Sequence, residues 1–132
     1  MSQKEKLIFF VDDDKMILNL LEYTFKSRKN YTVKCYFTGE ECLKHLQEHP
    51  DLIVLDHYFS KQGSGLLTGL QTLEKIREVM PLVPVLILSS QDNKELIPRF
   101  LALGARRYIS KDEYFIDSLM EAIDGELIQN AG

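Results

Sequence analysis

The chain has 132 residues, 45% hydrophobic and 27% charged, which suits one domain over 1–132 and is too apolar for a disordered chain. Its longest apolar stretches, such as Leu7–Val11 and Leu52–Leu55, are too short for a membrane span or an export signal, so a cytoplasmic protein is expected. With 16 Lys+Arg against 20 Asp+Glu the net charge is −4, which argues against direct nucleic-acid binding.

Leu7–Val11 reads as a first strand, nearly all apolar as in parallel strands covered on both faces. It runs into Asp12, Asp13 and Asp14, and then Ile17, Leu20, Leu21, Thr24 and Phe25 follow helical spacing. Tyr31–Phe37 reads as a second strand. Thr38 and Glu41 form a capping-box pattern ahead of Cys42 and Leu46, with Pro50 closing that helix. A third strand, Leu52–Leu55, leads to Asp56. Leu70, Leu73, Ile76 and Arg77 define a third helix that ends at Pro81. Val83–Leu88 is the fourth strand, and Ser89 follows it. Asp92 and Glu95 stand where they would cap a fourth helix, running through Phe100 and Leu101 to a stop at Gly104. Pro98 would break that helix, so a shortened or shifted one beginning near Ile97 is expected. Arg107–Ile109 is the fifth strand, Lys111 follows, and Phe115, Ile116, Leu119, Met120 and Ile123 make the fifth helix. Gln129–Gly132 reads as a short tail beyond a core of about 5–125.

Five strands alternating with five helices imply an α/β fold, a parallel sheet with helices on both faces. Function in such sheets collects at the carboxyl ends of the strands. Asp12–Asp14, Asp56, Ser89 and Lys111 all fall there. The acidic excess is local too: without Asp12, Asp13, Asp14 and Asp56 the chain balances at 16 basic against 16 acidic residues.

A carboxylate cluster is unstable alone, because each charge raises the pKa of its neighbours, and a hard cation such as Mg²⁺ removes the conflict. Asp56, held rigidly after a buried strand, could then attack a phosphoryl group, with Lys111 neutralising its oxygens and Ser89 hydrogen-bonding another. Each feature also has a plainer reading. Asp14 caps the next helix, a strand-end Ser is a turn residue, and a lone Lys is solvated. Cys35 and Cys42 read as buried, reduced thiols; the sharper alternative joins Cys42 with His45 and His49 in a metal site on one helix face. His57, beside Asp56, points to the opposite face and reads as a packing residue.

The segments LIFFVDDD, DLIVLDHYF, PVLILSS and GARRYISK together resemble a response-regulator receiver domain of two-component signalling, of the stand-alone, CheY-like kind. The resemblance implies a flavodoxin-like, doubly wound five-stranded sheet of order 2-1-3-4-5. It also implies a phosphoacceptor, Asp56, that takes its phosphoryl group from a histidine kinase or histidine phosphotransfer protein. Asp13 and Asp56 would bind Mg²⁺ directly with the Tyr58 backbone carbonyl, and Asp12 would act through water. Ser89 matches the switch hydroxyl, Tyr108 the aromatic that changes rotamer, Lys111 the family lysine, and Tyr58 and Gln91 the positions that tune phosphoryl lifetime. Output would be an altered affinity for a downstream protein, and a phosphorylation-linked homodimer is a further mode of the family.

The departures are specific. Ser60 stands where the family has Pro, and the Gly expected beyond it matches Gly69, so Lys61–Thr68 reads as an insertion of about five residues in a loop. Asp112 replaces the usual Pro after Lys111, so a trans bond is expected there. These departures leave a phosphorylation-independent, receiver-like binding module as the alternative. A haloacid-dehalogenase-like phosphatase, with its DxDx[TV] signature, would use Asp12 and Asp14, but Met16 occupies the Thr/Val place. Flavin binding is disfavoured, because the acidic turn after strand one would repel a phosphate.

Overall fold

Five short hydrophobic segments pair in parallel as one sheet, and their burial follows their place in it. The strands are β1 (Lys6–Val11), β2 (Tyr31–Tyr36), β3 (Leu52–Asp56), β4 (Val85–Ser89) and β5 (Arg107–Ser110), in the order β2-β1-β3-β4-β5. Every residue of the inner strands β3 and β4 is buried, whereas the edge strands β2 and β5 mix buried and exposed positions. The computed structural model describes residues 5–28, 30–56, 66–89 and 95–127. No helix among them is long and apolar enough to cross a membrane.

The pleat sends alternate side chains to two core layers. Ile8, Phe10, Val54, Leu86 and Leu88 pack on one face against α1 (Lys15–Lys26) and α5 (Phe115–Leu127), through Leu21, Phe25, Leu119 and Ile123. Phe9, Val11, Ile53, Leu55 and Ile87 pack on the other against α2 (Gly39–Lys44), α3 (Gly69–Val79) and α4 (Ile97–Ala102). Cys42, Leu73, Ile76 and Phe100 carry that second layer.

The order 2-1-3-4-5 is the one the resemblance implies and the alternation the one the sequence pattern implies, while the boundaries move for local reasons. β2 stops before Phe37, which is exposed, and β4 begins only after Pro84, which has no N–H to donate. Thr38 caps α2 by accepting from Glu41 N–H at 3.1 Å, but the helix lasts only to Lys44 before a 3-10 turn over Leu46–Glu48. His49, at φ 58°, ends that turn just before Pro50. α4 starts at Ile97 with Pro98 in its first turn, where the missing N–H has no helical partner to lose. Leu96, and not Glu95, holds the cap position, with no side-chain cap bond; Asp92 lies outside the described residues. Gly104, at φ 87°, follows the helix as the expected stop. The Lys111–Asp112 bond is trans.

Cys35 and Cys42 are free thiols, partly and fully buried respectively, and burial pushes their pKa values up to about 11 and about 12. The metal-site alternative does not form. His45 stacks on Tyr36 and pairs with Glu48 at 2.7 Å, His49 leaves the helix, and these residues are absent from the metal-competent clusters among the described residues.

Arg77 does unexpected work on the second layer. Its guanidinium donates to the carbonyls of Leu103 (2.7 Å), Gly104 (3.0 Å), Val83 (2.7 Å) and Met80 (3.3 Å), tying the end of α3 to both neighbouring loops. Arg77→Met keeps the stem and orphans those carbonyls, so it is expected to lower stability by roughly 2–4 kcal/mol. A urea midpoint within error of wild type would contradict this.

Candidate functional site

Register brings the strand-end residues together. Val11 pairs with Leu55, so the next residues, Asp12 and Asp56, sit side by side at the carboxyl edge. Asp56 is level with Leu88 of β4, and Ser89 pairs with Ser110 of β5. Lys111 follows Ser110, and its N–H donates to the Ser89 carbonyl at 2.7 Å. The backbone ladder therefore fixes where the lysine side chain starts.

By the alternation of the pleat, Asp12, Asp56 and Lys111 share the face of Phe10, Val54 and Ile109. Lys111 Nζ lies 2.7 Å from Asp12 Oδ2 and 2.9 Å from Asp56 Oδ1, with all three side chains largely buried. Asp12 Oδ1 also accepts from Asp14 N–H at 2.9 Å, which closes the acidic turn. Asp14 itself caps α1, accepting from Met16 N–H at 2.9 Å and Ile17 N–H at 3.4 Å.

The third carboxylate is Asp13, which is exposed. Asp12, Asp13 and Asp56 each bring an oxygen within 4.8 Å of the others. Burial, and next the Asp12 carboxylate, pushes the Asp56 pKa up to about 7 against the opposing pull of Lys111. Burial and Asp12 also raise Asp13. Burial alone would lower Lys111, but its hydrogen bonds to Asp12 and Asp56 prevail and the net shift is upward. One ammonium thus faces three carboxylates, an oxygen-only donor set with surplus negative charge and one member open to water. A hard divalent cation with part of its hydration shell fits that set.

The pairing of Asp12 with Asp13 and Asp56, and not with Asp14, bears on the phosphatase alternative. That chemistry needs Asp12 and Asp14 in one site, and here Asp14 is spent on the helix cap.

Ser89, buried at the end of β4, falls on the opposite sheet face by alternation, with Ile87. Tyr108 pairs with Ile87 in register and packs on that same layer, its ring 6.2 Å from Phe100 of α4. The structure therefore brings Asp12, Asp13, Asp56 and Lys111 into one cluster, and places Ser89 and Tyr108 on the opposite sheet face, the one that carries α4. Tyr58, Gln91, His57, Ser60 and residues 61–65 of the insertion lie outside the described residues. Of the insertion, Thr68 caps α3 in a reciprocal box with Gln71, and Leu67 N–H donates to Glu40 Oε2 at 3.0 Å. Sequence reasoning did not single out Glu40. An acidic residue in a first helical turn is ordinary, and only the fold places it beside the inserted segment.

Residues 8–124 match the sequence model of the response regulator receiver domain family. The alkaline phosphatase synthesis transcriptional regulatory protein PhoP of Bacillus subtilis is 36% identical over 107 residues, covering 80% of this chain and 42% of that protein. The probable C4-dicarboxylate response regulator DctR of the same species is 31% identical over 126 residues, covering 94% of this chain and 53% of its own. The chain thus spans about half the length, or less, of these curated relatives. Among solved structures, a CheY-like response regulator receiver domain protein of Methanospirillum hungatei superposes with a TM-score of 0.82 at 23% identity, over 97% of this chain and 98% of that one. At that identity the likeness is one of fold.

Proposed function

This chain belongs to the response regulator receiver domain family, and from that premise we propose that Asp56 accepts a phosphoryl group and that its phosphorylation switches affinity for a downstream protein. The observation that carries the reading is the cluster itself: a buried Asp56 beside Asp12 and Asp13, with Lys111 Nζ 2.9 Å away. A carboxylate oxygen of Asp56 attacks the phosphorus of a phosphohistidine on a histidine kinase or phosphotransfer protein. The P–N bond breaks as the acyl phosphate P–O bond forms, and the imidazole leaves with the electron pair.

Mg²⁺ would be held by Asp13 and Asp56 with the Tyr58 carbonyl, and by Asp12 through water; when bound it supplies charge neutralisation for the phosphoryl oxygens and lowers the proton affinity of the cluster. Lys111, anchored by its own backbone to β4, releases part of its pairing with Asp56 and donates to a phosphoryl oxygen. Ser89 moves toward the new group, and Tyr108 repacks beside Phe100 into the space that is freed. Tyr58 and Gln91 set the lifetime of the adduct. The chain takes part in its own phosphoryl transfer without turning over a separate substrate. A phosphorylation-linked homodimer is one form the output can take, and the cytoplasm is where a kinase's phosphohistidine would reach it.

Intact mass after incubation with acetyl phosphate tests the reading. A single phosphoryl adduct that needs Mg²⁺ and is lost in Asp56→Asn is the expected result. Labelling that persists in Asp56→Asn would overturn Asp56 as the acceptor.

A further inference from the structure

Lys111 reaches its carboxylates from the far side of the sheet. In the strand order, β5 stands at the second place from β3 and the third from β1. At ordinary strand spacing β5 and β1 are about 14 Å apart, which is beyond the span of an extended lysine. Register therefore brings Lys111 to the right edge of the sheet without delivering its ammonium. Where the chain goes after Ser110 decides whether Nζ arrives between Asp12 and Asp56.

The chain is held on both sides of that residue. On the strand side, Lys111 N–H donates to the Ser89 carbonyl at 2.7 Å. On the helix side, Asp112 closes a turn with two bonds. Its Oδ1 accepts from Tyr114 N–H at 2.8 Å, and its carbonyl accepts from Phe115 N–H at 3.1 Å. Phe115 and Ile116 then pack on the core, and α5 takes over the direction of the chain. Lys111 lies between these two anchors, one peptide bond from the second.

Asp112 stands where the family usually has proline, whose ring fixes φ without any hydrogen bond. Here a carboxylate closes the turn instead. Asp112, Glu113 and Tyr114 are all exposed, so the turn buries little apolar surface of its own. An exposed hydrogen bond adds little to folding, because water competes for both partners. What this one fixes is the direction in which the chain leaves Lys111.

We propose that Asp112 is a positioning residue for phosphoryl transfer, its side-chain turn holding Lys111 where the ammonium meets Asp56. The inference rests on the reading of Asp56 as the phosphoacceptor and of Lys111 as the group that meets the phosphoryl oxygens. Losing the Asp112 acceptor should slow phosphoryl uptake by about three- to tenfold.

The test measures acetyl phosphate labelling rates at saturating Mg²⁺ for Asp112→Ala and Asp112→Asn, each alone and combined with Lys111→Met. Asparagine keeps the acceptor and loses the charge, so it should label at the wild-type rate while alanine is slow. In the Lys111→Met background no ammonium is left to misplace, and Asp112→Ala should cause no further slowing. Urea melts in Mg²⁺-free buffer make the same comparison without a phosphoryl group: Lys111→Met should cost less stability beside Asp112→Ala than in wild type. A merely structural turn would lower stability equally in both backgrounds and leave the labelling rate alone. Alanine labelling at the wild-type rate overturns the proposal, and so does asparagine slowed as much as alanine, which would make the charge the agent. Equal slowing by Asp112→Ala with and without Lys111 overturns it too. Undiminished labelling in Asp56→Asn, or in Lys111→Met, would instead overturn the underlying reading.

Discussion

Replacing Lys111 with Met is expected to slow phosphoryl uptake at Asp56 by roughly 100-fold. The Met side chain keeps the apolar stem but removes the ammonium that lies 2.7 Å from Asp12 and 2.9 Å from Asp56. On the proposed reading that ammonium stabilises charge as it spreads over the equatorial phosphoryl oxygens, and its backbone is already fixed by the bond to the Ser89 carbonyl. The same change removes the one cation that, among the described residues, pairs with the cluster. In Mg²⁺-free buffer at pH 8, it should cost roughly 3–5 kcal/mol, because two buried carboxylates lose their partner. Added Mg²⁺ is expected to recover much of the stability while leaving the rate low. Labelling kinetics and urea melts, each with and without Mg²⁺, separate the two effects. A wild-type labelling rate in Lys111→Met would show that the lysine serves only the resting fold.

On the proposed reading the two effects differ because the lysine has two partners in succession, first the carboxylates and then the phosphoryl group. The sequence places Lys111 two residues beyond the strand Arg107–Ile109 and suggests that it meets phosphoryl oxygens. It does not show that the ammonium first neutralises Asp12 and Asp56. That follows from the register, Val11 with Leu55 and Ser89 with Ser110, which a single sequence does not carry. The strand ends themselves were legible, because parallel strands buried on both faces leave unbroken apolar runs that stop at Asp12, Asp56 and Ser89. The start of α4 was legible too, since Pro98 admits few helical positions.

Arg77 and Glu40 show where such reading ends. Arg77 falls on the helical spacing of Leu70, Leu73 and Ile76, so it belongs to the inner face of α3 on pattern alone. Its partners, however, are carbonyls of loops, one of them 26 residues away. Glu40 likewise finds Leu67 across 27 residues. Hydrogen bonds from side chains to irregular backbone have no period, and their partners appear only when helices and loops are placed. Edge strands were also less sharply bounded than inner ones: Phe37 extends the apolar run of β2 past its last paired residue, Tyr36.

In Mg²⁺-free buffer, stability is expected to fall as pH rises through the range from about 4 to about 8, by roughly 2–4 kcal/mol. Asp56 carries the effect. Burial and the Asp12 carboxylate push its folded-state pKa up to about 7, above the ordinary value of 3.8. Between those values the folded chain binds more protons than the unfolded chain, so each step up in pH favours unfolding. Asp13, raised by burial and by Asp12, acts in the same direction. Lys111 is raised from an ordinary value of 10.5, so its stabilising contribution is complete throughout this range and does not shape the slope. Glu48, lowered by its bonds to Lys34 and His45, acts in the opposite direction, but only at the acidic end. Comparison with Asp56→Asn removes that background: the variant should show a flatter profile and exceed wild type in stability at pH 8. Mg²⁺ should flatten the wild-type profile by binding the deprotonated cluster, and should do little for Asp56→Asn. Thermal melts across the range, with and without Mg²⁺, check all three. Wild-type stability that climbs between pH 5 and 8 without Mg²⁺ would mean that Lys111 outweighs the mutual repulsion of the carboxylates. The resting cluster would then be a settled ion pair, with little electrostatic reason to take up a cation before phosphoryl transfer.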